Sequence, residues 1–197
     1  MTRDEMRQSV DQATDWLLDA SGRLSQEYFQ LPVAGEELQY RERVYCYELY
    51  HLWRCNWSNQ FPFSLSGEVD KQNHPVIRKK VKPDYLVHIP GQMTNLLVME
   101  VKPKPKRGIE VAYHANEITE TLEDLDKLTW FRRELSEYDP DANYFAAFMW
   151  FYGLHVQEWP ILRNCLFERI AEKNIDTALI RVFMHQQFGQ RAIEVYW

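Results

Sequence analysis

The chain has 197 residues, 45% of them hydrophobic and 14% aromatic, which is the composition of a folded domain and excludes a disordered segment. Its formal net charge of −6 argues against a uniformly basic nucleic-acid binder, and no run approaches the roughly 18 apolar residues of a membrane span. The polar start MTRDEMRQSVDQATDWLL lacks the apolar stretch of a signal peptide, and three cysteines without framework spacing (Cys46, Cys55, Cys165) exclude a disulfide scaffold, so a reducing, cytoplasmic setting is expected.

Met6, Val10, Ala13, Leu17 and Ala20 recur at helical spacing and predict an amphipathic helix over residues 3–20, broken by Ser21-Gly22. Ser25 is placed to cap a short helix through Phe29, ahead of Pro32 and Gly35. A third helical pattern runs from Glu36 to about Trp53, with Leu38, Tyr45, Leu49 and Leu52 on its buried face. Glu48 falls on the flank of that stripe, where it either is neutralised by a cation such as Arg41 or reaches toward a metal. In residues 62–75, Phe63, Leu65 and Gly67 alternate with polar positions as in a half-exposed strand, and Glu68 and Asp70 share a face.

Residues 83–104, PDYLVHIPGQMTNLLVMEVKPK, read as two strands joined across a Pro-Gly turn. Strand side chains alternate between faces, so Glu100 and Lys102 project from one side and Val101 from the other. Symmetry about Gln92 sets Asp84 opposite Glu100, a like-charge pair that destabilises a sheet. A divalent cation held between the two carboxylates would offset that repulsion.

Beyond the hairpin, Pro103 and Pro105 stop the strand. Residues 115–137 form the clearest helix, with Ile118, Leu122, Leu125, Leu128, Phe131 and Leu135 in register, an acidic first half and basic residues in the second. YFAAFMWFYG reads as a strand covered on both faces, residues 160–173 as a helix, and TALIRVFMHQQF and RAIEVYW as final strands. Trp150, Phe151, Tyr152 and Trp159 could stack bases, but their place in an apolar strand assigns them to the core. His51 and Cys55 have zinc-like spacing without a second pair to complete four ligands, and no glycine-rich phosphate loop is present. The whole is one domain, a mixed sheet flanked by helices.

Charge is unevenly distributed. Residues 71–107 hold nine basic and two acidic groups (+7), and the remainder 14 basic and 27 acidic groups (−13). The basic stretch is either a solvated lysine-rich pair of loops or a local field that attracts a polyanion.

Pro83-Asp84 followed by Glu100-Val101-Lys102 on adjacent strands, with Glu48 on a preceding helix and a helix and strand after, resembles the PD-(D/E)XK, or restriction-endonuclease-like, nuclease superfamily. The resemblance covers about residues 36–150 and implies an αβββαβ core, with residues 1–35 a helical extension and 151–197 a C-terminal α/β addition. It implies Mg²⁺ or Mn²⁺ held by Asp84, Glu100 and the Val101 carbonyl, with Lys102 positioning water or stabilising the transition state and Glu48 assisting. The same helix offers Glu42 as an alternative. Lys79, Lys80, Lys82, Lys104, Lys106 and Arg107 would contact phosphates of a nucleic acid, DNA before RNA. The alternatives are a binding module of the same fold without turnover, and a domain in which Asp84, Glu100 and Lys102 form a structural ion cluster. A homodimer is a further expectation, because Val195-Tyr196-Trp197 and the N-terminal helices have no assigned burial.

Overall fold

The computed structural model describes residues 1–31, 39–67, 82–92, 94–105, 116–133, 143–171 and 173–197. Helix α1 (Arg3–Arg23) starts at Thr2, whose hydroxyl accepts the Glu5 N–H while the Glu5 carboxylate accepts the Thr2 N–H. It does not break at Ser21-Gly22 but passes through both residues. Ser21 Oγ donates to the Leu18 carbonyl and accepts the Ala192 N–H, and a Cβ on Gly22 would lie 3.1 Å from Arg191 Cγ. The pair that reads locally as a breaker is therefore where the helix meets the C-terminal segment.

Helix α2 (Gln26–Phe29) follows Ser25, which occupies the cap position without a side-chain bond. Helix α3 (Glu42–Cys55) begins later than its periodicity predicts, because Gln39 and Leu31 exchange backbone hydrogen bonds in an isolated bridge. A residue whose N–H and C=O are committed to a bridge cannot also serve a helix. Leu38, like Glu68 and Asp70, lies outside the described residues.

Among the described residues six strands form one mixed sheet in chain order: β1 (Ser64–Gly67), β2 (Tyr85–His88), β3 (Asn95–Pro103), β4 (Ala146–Tyr152), β5 (Ile180–His185) and β6 (Ile193–Val195). The first three run antiparallel, β3, β4 and β5 are parallel, and β6 returns antiparallel. Parallel neighbours need a crossover, and helices α4 (Asn116–Arg133) and α5 (Trp159–Ile170) lie in the two connections.

One sheet face packs Tyr85, Val87, Met99, Val101 and Trp150 against residues of α1 and α3 such as Leu17, Tyr45 and Trp53. The other packs Leu86, Val98, Met149 and Val182 against Leu122, Leu125 and Leu128 of α4 and Leu166 of α5. The aromatics Trp150, Phe151, Tyr152 and Trp159 are all buried and belong to this core. So does much of the C-terminus: Val195 is buried, and the Trp197 ring meets Trp159 at 5.3 Å between centroids and donates to the Ile180 carbonyl. Tyr196, between them, is 79% exposed, while α1 buries Val10, Ala13, Leu17 and Ala20. No helix among the described residues is long and apolar enough to cross a membrane.

Candidate functional site

The β2–β3 hairpin pairs Tyr85 with Met99, Leu86 with Val98 and Val87 with Leu97, the register expected from its symmetry; a bulge after Val87 brings His88 opposite Asn95. One step beyond the paired residues, Asp84 stands opposite Glu100. Its side chain turns back to the neighbouring strand, where Oδ2 accepts the Val101 N–H at 2.7 Å. Continued once more, the register sets Pro83 against Val101, and proline has no N–H to give to the Val101 carbonyl. The β2–β3 pairing thus ends at Met99, and two residues on, Val101 gives its N–H to a carboxylate.

By strand alternation Asp84, Glu100 and Lys102 share the face of Leu86 and Val98, the face covered by α4. There α4 contributes Asp124 and Lys127, one turn apart. Lys127 Nζ lies 2.8 Å from Glu100 Oε1 and 2.8 Å from Asp124 Oδ1. Lys102 Nζ lies 2.8 Å from Asp124 Oδ2 and 3.8 Å from Glu42 Oε2. The chain of charges runs Glu100, Lys127, Asp124, Lys102, Glu42, with Asp84 beside it: four acids and two lysines.

Crowding and burial set the protonation of this group. Burial pushes the Glu100 carboxyl well above its usual range, Asp124 and Asp84 add to the rise, and Lys127 opposes it. Burial also raises Asp84, against the pull of the Val101 N–H. Glu42 is pushed up to about 6 by burial, partly countered by Lys102. Burial works against the Lys102 and Lys127 ammonium groups, but their acidic neighbours prevail and hold both above the usual lysine value.

Glu42, and not Glu48, approaches Lys102. Glu42 opens α3, whereas Glu48 lies six residues on, about 9 Å along the axis and on a different side of the helix. Among the described residues the acids paired with Lys102 are Asp124 and Glu42, not Glu48. Asp124 and Lys127 were not singled out from sequence. A signal did exist: Asp124 sits four residues before Leu128 and next to Leu125, inside the arc of buried leucines.

A cavity of about 110 Å³ opens beside Lys102, lined also by Tyr40, Glu42, Lys104, Glu120 and Phe151. Lys104 is tied to Glu158, 2.9 Å from Oε1, and Lys82 is exposed. Lys79, Lys80, Lys106 and Arg107 lie outside the described residues. His51 Nε2 and Cys55 Sγ are 3.9 Å apart on an exposed helix face.

Among the described residues no three His, Cys, Asp or Glu side chains are gathered as a ready ligand group. Lysine ammoniums stand between the carboxylates and offset part of their charge. The donor chemistry nevertheless suits a hard divalent cation: the Asp84 and Glu100 carboxylates and the Val101 carbonyl are all oxygen donors. No family model, curated protein or solved structure matches the chain.

Proposed function

We propose that this chain is a metal-dependent nuclease with a PD-(D/E)XK, restriction-endonuclease-like core, hydrolysing phosphodiester bonds of nucleic acid, DNA in preference to RNA. The observation that carries this reading is the placement of Asp84, Glu100 and Lys102 on one sheet face where the β2–β3 ladder ends, with an open cavity beside Lys102. The order α3, β1, β2, β3, α4, β4 supports it as well.

Asp84, Glu100 and the Val101 carbonyl would hold Mg²⁺ or Mn²⁺, which supplies Lewis-acid stabilisation of the phosphoryl oxygens and an activated water. Lys102 remains an ammonium at neutral pH, because Asp124 and Glu42 hold its pKa up. It therefore acts as a fixed positive charge against the oxyanion that develops on phosphorus and not as a general base. Asp124 positions Lys102 from behind, and Glu42 approaches it from α3. Two carboxylates forced together are repelled when ionised, and a divalent ion relieves that repulsion.

Titration with Mn²⁺ by calorimetry, paired with cleavage assays, tests the reading. The parent binds Mn²⁺ and cleaves; Asp84→Ala loses the metal; Lys102→Ala keeps the metal and loses about 10²-fold or more in rate, the scale of one lost oxyanion contact. A parent that binds no divalent ion and cleaves neither DNA nor RNA overturns it. The pairing of Glu100 and Asp124 with Lys127 favours a second reading, a binding module of the same fold without turnover. Such a module retains nucleic-acid affinity in both variants and shows no cleavage in the parent.

A further inference from the structure

The chemistry above leaves one member of the cluster unused. Lys127 Nζ is 2.8 Å from Glu100 Oε1 and 2.8 Å from Asp124 Oδ1, bridging strand β3 and its own helix. The Glu100 side chain is only 4% exposed, and a carboxylate so buried is costly unless a cation accompanies it. Lys127 meets that need from the rim: its side chain is 24% exposed, so rotation of the flexible stem can return the ammonium to water. Asp124 has a second cation, because its other oxygen contacts Lys102. Glu100 makes no other ion pair among the described residues.

We propose that Lys127 is a built-in counter-ion for the metal site: it holds Glu100 and Asp124 when no divalent ion is bound, and metal entry at Glu100 displaces it. This rests on the nuclease reading above, since it assumes that Glu100 is a metal ligand. Loading is then an exchange of one cation for another. The affinity of the site for metal is lowered by the work of detaching Lys127, and the metal-free protein is protected from the repulsion between Asp84, Glu100 and Asp124. Lys102, held by Asp124 and Glu42, stays in place throughout. The two lysines divide the work: one is a fixed charge for the reaction, the other a removable charge for the empty site.

The test uses Lys127→Met, which keeps the length of the stem and removes its charge, with Lys127→Arg as the charge-retaining control. Mn²⁺ affinity is measured by calorimetry on chelator-treated protein, and melting temperature is measured in EDTA and in excess Mn²⁺. For Lys127→Met the expected results are Mn²⁺ binding tighter by about tenfold or more, the scale on which removing a competing state raises apparent affinity, a lower melting temperature in EDTA, and a wider gap between the two melts. Lys127→Arg binds Mn²⁺ no more tightly than the parent. If Lys127→Met proves too unstable to study without metal, the arginine variant decides alone, and tighter binding by it overturns the proposal. Mn²⁺ affinity in Lys127→Met equal to or weaker than in the parent, while Asp84→Ala still abolishes binding, overturns the counter-ion role and leaves the nuclease reading intact. No Mn²⁺ binding by the parent or any variant overturns both.

Discussion

Glu42 stands where α3 meets the cluster, its Oε2 3.8 Å from Lys102 Nζ. Burial pushes it up to about 6 from an ordinary 4.5, with Asp84 and Asp124 adding to the rise and Lys102 opposing it. The folded-state value lies above the unfolded one, so folding takes up protons in that window and stability falls as pH rises from 4.5 to 6. His185 has the opposite sign. Its ring is buried on the other sheet face with Nδ1 2.8 Å from the Tyr45 hydroxyl, and burial pushes its pKa down to about 4 from 6.5. Its contribution is complete above 6.5 and is lost as pH falls toward 4. A parent profile alone would mix the two, so the informative quantity is the difference between Glu42→Gln and the parent. In urea unfolding without metal, the variant gains on the parent as pH rises through 6. A difference that is flat across the window would show that Glu42 titrates normally in the folded state.

Strand β4 shows how an element shapes the site from a distance. It lies between two parallel neighbours and is buried along nearly its whole length, so it fixes where β3 ends. Its last residue, Tyr152, stacks on Tyr45 of α3 with ring centroids 3.9 Å apart, and the chain then turns at Gly153 with φ +76°. A side chain at Gly153 would be strained by that backbone and would collide with the Tyr40 ring, which lines the cavity beside Lys102. Gly153→Ala is accordingly expected to cost about 1–3 kcal/mol in urea unfolding. It should also displace the Tyr40 ring from the cavity wall. An Ala variant as stable as the parent would show that the turn relaxes freely.

On the scale of the whole molecule, helices on both sheet faces bury the strands and leave the charged cluster at one end of β2 and β3. Two of the basic residues in the 71–107 stretch, Lys102 and Lys104, are paired with acids. The cluster itself carries more acid than base, and a divalent ion bound only by the folded state stabilises it by mass action. With Mg²⁺ or Mn²⁺ at a hundredfold excess over its dissociation constant, the gain is about 2.7 kcal/mol. The proposed metal site predicts a rise in melting temperature that depends on metal concentration and is absent in Asp84→Ala. A melting temperature indifferent to both ions would count against a metal site in the fold.

Local pattern by itself determined the hairpin register, the shared face of Asp84, Glu100 and Lys102, and the order of strands and helices, because a period of two and a proline-glycine turn act over a few residues. The same kind of signal misjudged Ser21-Gly22, which the helix passes through where Ser21 Oγ accepts the Ala192 N–H from far along the chain. It also chose Glu48 over Glu42, and it is Glu42, at the start of α3, that the structure brings to Lys102. Only the tertiary structure decided which cations meet the acids. Asp124 and Lys127 are polar residues on an amphipathic helix, and nothing within that helix says that its polar turn lies over the end of β3. Periodicity reports which side of an element is buried; which charges face one another across two elements is settled by packing between segments distant in sequence.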